Sequence, residues 1–242
     1  MINIVIPMAG LGSRFSDAGY EKPKPFIDVL GKPMIERVMD NLNIEDSNFI
    51  LLVREEHIRD YQKYIKSLST KYKSTIFTIS ELTQGTACTV LLARELINND
   101  MPLIIANSDQ IVDIDLNEYV QDALKKELDG SILTFSNPEM DPKWSFAKLN
   151  NEGLVTKVKE KVAISSNATV GIYLFKKGRD FVEGAIDMIL QQDTVNGEYY
   201  TCPVYNYLIK KNLKIGIFEI LESQMHGIGT PSDLDNYLNL RE

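Results

Sequence analysis

Two cysteines, one tryptophan and two histidines are all that the 242 residues contain of those types. Cys88 and Cys202 are far apart in sequence, which gives no disulfide framework and no tetrahedral zinc set, so both read as buried thiols. Long apolar runs are also missing. The longest, at 49–53 and 101–106, are strand-sized and well short of the ~20 residues that cross a bilayer. The opening MINIVIPMAG has no basic stretch ahead of its apolar one, so it does not read as a secretory leader and a cytoplasmic location is expected. Positive charge is scarce as well: 26 Lys and Arg face 34 Asp and Glu, a net charge of −8. A general nucleic-acid binder needs a broad basic surface to displace counterions, and this chain does not have one. With 44% apolar and 25% charged residues, disorder and coiled coil are excluded too, and the length suits one large α/β domain or two small ones.

The front of the chain is nevertheless net basic. Arg14, Lys22, Lys24 and Lys32 outnumber Asp17, Glu21 and Asp28 within residues 1–32, a place where an anionic small molecule can bind. The same region opens with a β-branched apolar run at 2–8, the mark of a buried parallel strand. Pro33 then stands at a first helical position, followed by Met34, Ile35, Val38, Met39 and Leu42 at helical spacing. A strand at 49–53, a helix over 59–68, a strand at 75–79, a helix over 86–96 and a strand at 102–106 continue the alternation. Such an order predicts a parallel sheet covered on both faces. Past Asp109 the pattern changes to a helix over 116–128 and strands at 131–135, 146–149, 155–158 and 169–175, with a hairpin turn at 150–153. Helices at 178–190, 203–210 and 231–240 and a strand at 213–218 complete the reading. No linker, repeat or low-complexity tract interrupts it, so 1–242 reads as one domain with a nucleotide half (1–115) and an acceptor half (116–242).

Two segments carry the chemistry. The loop Met8-Ala9-Gly10-Leu11-Gly12-Ser13-Arg14 follows the first strand, at the edge where open α/β sheets bind ligands. Its backbone N–H groups can face phosphate oxygens and Arg14 can grip a phosphate. A bare G-x-G reads equally as an ordinary βα turn, and neither the P-loop pattern nor G-x-G-x-x-G is present, because Phe15 stands where the last glycine would be. In Lys22-Pro23-Lys24-Pro25, prolines on both sides of Lys24 are expected to stiffen the segment into an extended form that holds the ammonium in place.

With Gly31-Lys32-Pro33-Met34-Ile35 closing the stretch, this pattern resembles the sugar-1-phosphate nucleotidyltransferases (nucleoside-diphosphate-sugar pyrophosphorylases), in particular the short cytidylyltransferases for phosphorylated sugars or alcohols. The resemblance covers the whole chain. Gln84-Gly85-Thr86 resembles the base-binding turn, Asn107-Ser108-Asp109 the segment with the metal-binding aspartate, and Glu160-Lys161 the pair that meets the acceptor. Gly171-Ile172-Tyr173-Leu174-Phe175, Gly197-Glu198-Tyr199-Tyr200 and Gly229-Thr230-Pro231 follow in the family's order. The resemblance implies a Rossmann-like (GT-A type) mixed, mainly parallel sheet flanked by helices. It also implies transfer of a nucleoside monophosphate onto a phosphorylated acceptor with loss of pyrophosphate, Mg²⁺ as cofactor, and a place in the supply of capsule, lipopolysaccharide or other surface glycan. By the same resemblance Arg14 and Lys24 are catalytic, and residues 8–13, Gln84, Gly85, Thr86, Asn107 and Ser108 bind nucleotide. Trp144, Lys161, Asn167, Glu198 and Tyr199 bind acceptor and Asp109 binds metal; for Trp144, packing in the core is the competing role. The chemistry suits these residue types, since an in-line displacement at phosphorus asks the protein for positive charge and orientation rather than covalent help.

One position departs from the family. Many relatives carry a second metal-binding aspartate near the closing Gly-Thr, where this chain has Met225-His226-Gly227-Ile228. Mg²⁺ prefers oxygen, so His226 is expected to hydrogen-bond or pack instead. The Pro-Met-Ala-Gly-Leu-Gly opening is closer to cytidylyl- and uridylyltransferases than to guanylyltransferases, which favours a pyrimidine, CTP ahead of UTP and dTTP. Expected partners are a nucleoside triphosphate and a phosphorylated small molecule, with no nucleic acid or membrane, and homo-oligomerisation is left open. Two other functions share these features: a nucleotide-sugar glycosyltransferase, although 109–113 lacks an Asp-x-Asp, and a regulatory protein that binds nucleotide sugar without turnover.

Overall fold

The computed structural model describes residues 1–241. Strand β1 (Ile2–Pro7) is apolar almost throughout because both its faces are buried. Ile2, Ile4 and Ile6 enter one hydrophobic cluster and Val5 the other, so the two clusters lie on opposite faces of the sheet. After β1 come α1 (Ser13–Asp17), a small ribbon of β2 (Asp28–Val29) and β3 (Lys32–Pro33), α2 (Met34–Asn41), β4 (Ser47–Arg54), α3 (Glu55–Asp60), α4 (Gln62–Tyr72) and β5 (Thr75–Ile79). Then α5 (Thr86–Leu91), α6 (Arg94–Ile97) and β6 (Leu103–Ala106) close the alternating part. β4 and β6 flank β1 and β5 lies outside β4, all in parallel register.

The second half adds β7 (Gln110–Val112), α7 (Leu116–Lys125), β8 (Gly130–Ser136), β9 (Phe146–Leu149), β10 (Val155–Lys159), β11 (Asn167–Phe175), α8 (Gly178–Leu190), α9 (Val204–Lys210), β12 (Ile215–Ile220), β13 (Met225–Gly227) and α10 (Pro231–Arg241). Of its strands, β8 to β12 continue the same nine-stranded sheet, while β7 and β13 pair in a separate two-stranded ribbon. β11 runs antiparallel to β6 and to β8, and β12 lies parallel outside β8. Helices α2, α4, α7 and α10 bury their apolar residues in the cluster of Ile4 and Ile6, and α5, α6, α8 and α9 bury theirs in that of Val5. The mixed, mainly parallel sheet with helices on both faces is the architecture implied by the resemblance, and its parallel part is the one expected from the alternation. Among the described residues no helix is long and apolar enough to cross a membrane.

The feature that creates a site is a handover on one edge of β11. β6 pairs with this edge from Phe175 to Ile172, and the hairpin β9–β10 takes it over at Ala168, opposite Phe146. Between the two, Asn107 N donates to Gly171 O (2.9 Å) and Thr169 N donates to Ser145 O (2.8 Å). The chain therefore leaves the sheet just past β6 and another segment arrives just before β9. A crevice outside the carboxyl end of a strand, where connectivity changes, is where open α/β sheets take ligands.

Several local expectations need correction. Lys24 is not in an extended segment: Lys24–Phe26 forms a single 3₁₀ turn with extended Pro23 and Ile27 on either side. Pro25 fits there because the first turn of a helix asks for no donor at that position. The helix read over 59–68 is two helices that start at Glu55 and break at Tyr61, whose ring stacks on Phe26 with centroids 4.3 Å apart. The helix over 86–96 is likewise divided, with Ala93 N bonded back to Val90 O (3.0 Å) in a tightened turn. The late strand is shifted to Ile215–Ile220 because its register on β8 starts with Ile215 opposite Gly130. The ribbon of β7 and β13, three residues each, was too short to show any alternation.

Candidate functional site

Two cavities meet at the handover. The smaller, about 510 Å³, is lined by Pro7 to Ser13, Lys24, Pro25, Leu82, Thr83, Gly85, Thr86, Thr89 and Glu198. The larger, about 690 Å³, is lined by Arg14, Trp144, Ser145, Glu160, Thr169 to Gly171, Tyr173, Tyr200 to Cys202, the β13 segment and α10. Thr86, Asn107 and Asp109 belong to both walls, so a group in one cavity can reach a group in the other across them.

The smaller cavity is built between two turns. One is the loop after β1, which ends in α1 with Gly12 at its N-terminus. The other is the turn into α5, fastened by Tyr199: its N–H donates to Gln84 O (2.8 Å) and its O accepts from Ala87 N (2.9 Å). Gly85 has φ +103°, and a Cβ there would lie 2.6 Å from Tyr199 O. No side chain can occupy that position without opening the turn.

At the junction the Lys24 ammonium donates to the Asp109 carboxylate, with both side chains about one-fifth exposed (20% and 24%). Gly229 lies directly against the same carboxylate, in contact that leaves no space for a Cβ, and Ile228 N donates to Asp109 O (2.9 Å). Asp109 is thus set between the end of β6 and the segment after β13. Arg14 projects from α1 into the larger cavity and is exposed, and among the described residues no carboxylate lies within ion-pair distance of it.

In the larger cavity Ser145 Oγ donates to the carboxylate of Glu160, which is 7% exposed. Burial pushes the Glu160 carboxyl above the usual carboxylate range, against the pull of the Ser145 hydroxyl and the Lys161 charge. Lys161 Nζ donates to Tyr200 Oη (2.7 Å) and lies 4.6 Å from the ring centre, and that phenol donates in turn to Glu198. The hydrogen bond to Tyr200 raises the Lys161 ammonium, while burial and then the Glu198 carboxylate raise the Tyr200 phenol. This chain ties the two cavities together, because Tyr200 lines the larger and Glu198 the smaller. Thr201 is 3% exposed and its Oγ1 has no hydrogen-bond partner among the described residues, so the larger cavity carries an unused polar atom in its wall.

The residues expected to contact an acceptor divide. Trp144 lines the larger cavity while meeting Phe135 edge-on at 5.2 Å. Lys161 reaches that cavity's wall through Tyr200, and Glu198 faces the smaller one. Asn167 is turned away, its amide donating to Ala147 O (3.1 Å), and the buried Tyr199 serves the α5 turn through its backbone. Gln84 is exposed and offers its carbonyl to that turn. Residues not singled out from sequence as lining a site are Ser145, Thr169, Thr201 and Cys202, together with Asn236, Tyr237 and Leu240 of α10. Their neighbours in the Gly171–Phe175 and Gly197–Tyr200 segments were the available hints.

A divalent cation is implied by the resemblance, and the donors can be tested for fit. His226 Nε2 is bonded to Asp113 Oδ2 (2.8 Å) and so is engaged elsewhere, as its chemistry led one to expect. Among the described residues no cluster of three or more His, Cys, Asp or Glu is placed to hold a metal. Asp109 alone remains, and one carboxylate completed by phosphate oxygens and water is an ordinary setting for Mg²⁺, so the site fits such an ion held jointly with substrate.

A family model described as "Nucleotidyl transferase" matches residues 4–191. The bifunctional protein GlmU of Methanococcus aeolicus is 28% identical over 238 residues, which cover 96% of this chain and 53% of that protein. This chain spans about half the length of the curated relatives it matches. Among solved structures, a nucleoside-diphosphate-sugar pyrophosphorylase from Vibrio cholerae superposes with a TM-score of 0.82 at 26% identity, covering 98% of this chain and 99% of the other. The inositol-1-phosphate CTP transferase from T. maritima shares the fold at a TM-score of 0.76 and 15% identity, covering 98% and 94%.

Proposed function

The chain belongs to the nucleotidyl transferase family, and on that premise we propose that it transfers a nucleoside monophosphate from a nucleoside triphosphate to a phosphorylated small-molecule acceptor, releasing pyrophosphate. The observation that carries this reading is the pair of cavities meeting at Thr86, Asn107 and Asp109, with Lys24 at the junction. The nucleotide occupies the smaller cavity, its base toward Gln84–Thr86 and its phosphates along the amides of residues 8–13. The acceptor occupies the larger cavity with its phosphate toward the junction.

A phosphate oxygen of the acceptor attacks the α-phosphorus in line. The new phosphorus–oxygen bond forms as the bond from the α-phosphorus to the bridging oxygen breaks, and pyrophosphate carries the electron pair away. Two anions must approach each other, so Lys24 and Arg14 supply positive charge at the junction, and Lys161, carried by Tyr200, supplies it on the acceptor side. Lys24 exchanges its Asp109 partner for phosphate as substrate arrives. Asp109, together with phosphate oxygens and water, would hold Mg²⁺, which would supply further charge neutralisation there.

The loop Met8-Ala9-Gly10-Leu11-Gly12 supports a pyrimidine base, CTP ahead of UTP and dTTP, and the fold shared with an inositol-1-phosphate CTP transferase is compatible with it. Cytoplasmic supply of an activated unit for a surface glycan suits this chemistry, with residues 1–242 acting as one domain. The test is pyrophosphate release with Mg²⁺, presenting CTP, UTP, dTTP, GTP and ATP in turn against sugar 1-phosphates and small phosphorylated alcohols. Release that needs one nucleotide and one acceptor together supports the reading and names both. Release with GTP alone overturns the base preference, and none with any pair overturns the activity.

A further inference from the structure

Helix α10 forms one wall of the larger cavity through Asp233, Asn236, Tyr237 and Leu240, yet only Leu234 and Tyr237 of its 11 residues are buried. Two buried anchors, with half-buried Leu238 packed beside them, are few for a helix of three turns, so its seating leans on polar ties. At its start, Asp233 N donates to Thr230 Oγ1 (3.1 Å), which donates back to Asp233 Oδ2 (2.7 Å). At its end the tie is Asp113. One guanidinium nitrogen of Arg241 reaches both carboxylate oxygens, at 2.5 and 2.7 Å, and His226 Nε2 of β13 lies 2.8 Å from Oδ2. The Tyr237 ring fills the space between, 5.5 Å from the His226 ring and 5.4 Å from the Arg241 guanidinium.

Asp113 is itself a fixed post. Its N–H donates to Gln224 O (2.8 Å) and its O accepts from Gln224 Nε2 (3.1 Å), at the end of the β7–β13 ribbon. That ribbon starts at Gln110, next to Asp109, so the post and the junction carboxylate stand on one short excursion of the chain.

We propose that Asp113 is a positioning residue that clamps α10 through Arg241 and His226 and thereby sets the acceptor-side wall of the larger cavity. The proposal rests on the transferase reading for which substrate that wall meets, whereas the clamp itself does not. Asp113 lies outside both cavities, so its effect falls on acceptor affinity and spares the nucleotide.

The experiment compares wild type with Asp113→Ala, Arg241→Ala and the double variant, reading KM for each substrate and amide hydrogen exchange of residues 231–241. Losing a charge-assisted contact raises the acceptor KM by about tenfold, with the nucleotide KM within about twofold. The double variant is no worse than the worse single one, because both break one interaction. Exchange accelerates in α10 and stays unchanged in β1 and β6. An unchanged acceptor KM, or an equal rise in both KM values, overturns the proposal. Arg241→Ala, at the exposed end of a helix, carries the test if Asp113→Ala does not fold. Should wild type release no pyrophosphate with any pair, the transferase reading fails and exchange alone decides: acceleration confined to 231–241 upholds the clamp, and unchanged exchange overturns it.

Discussion

The Lys24 ammonium donates to the Asp109 carboxylate across 85 positions of sequence, joining the turn after α1 to the end of β6. Partly exposed ion pairs add only about 0–1 kcal/mol to stability, so this one is poorly suited to holding the fold together. Its value lies in what it does when a phosphate arrives.

Lys24→Met should therefore separate catalysis from stability. Removing one preorganised charge from a phosphoryl-transfer site costs about 10²–10³ in turnover, while Tm should fall by no more than about 3 °C. Steady-state rates and thermal unfolding of the same preparation check both. A variant near the wild-type rate would remove Lys24 from the chemistry.

Two glycines should fail in different ways. At Gly85 a Cβ meets the Tyr199 backbone in a left-handed conformation, so Gly85→Ala should destabilise the protein by about 2 kcal/mol or more and weaken nucleotide binding. At Gly229 the Cβ meets the Asp109 carboxylate, a side chain that can move. Gly229→Ala should cost little stability but lower turnover at least about tenfold by displacing that carboxylate. Denaturant titration beside kinetics distinguishes them, and equal stability losses would contradict this division.

Glu160 should make stability fall with rising pH. Its carboxyl lies above the ordinary value of 4.5 in the folded protein because it is buried, so the native state holds a proton that the unfolded chain has already released. Stability declines as pH rises from 4.5 toward the raised value, since the slope follows the protons bound in the unfolded state minus those bound in the native state. Glu160→Gln keeps an acceptor for Ser145 and removes this decline. Its Tm relative to wild type should be more favourable at about pH 7 than at about pH 4, as read by thermal scans across that range. A difference constant with pH would show that Glu160 is not raised.

What could be read from sequence divides along physical lines. β1 was legible because burial on both faces leaves a β-branched run broken only by Asn3, and the loop 8–14 because its glycines and Arg14 fall within one short segment. Asp109 was singled out through the resemblance alone, since an aspartate after a buried strand reads equally as a turn cap. Much of the inner wall of the larger cavity was not: Ser145, Thr169 and Thr201 come from three segments brought together only where β9 takes over the edge of β11 from β6. Lys24 was found, but its turn was misjudged, because two prolines suggest extension while the first turn of a helix also accepts them. The role of His226 was anticipated in kind, but Asp113 as its partner was hidden by 113 positions of separation.

The most direct test of nucleotidyl transfer follows the α-phosphate. The protein is incubated with Mg²⁺, a nucleoside triphosphate labelled at that position and the acceptor that supports pyrophosphate release, and the products are separated and weighed by mass spectrometry. The account predicts that all label is joined to the acceptor in a new diphosphate linkage and that the pyrophosphate is unlabelled. Label recovered as free nucleoside monophosphate or diphosphate, with the acceptor unchanged, would contradict it.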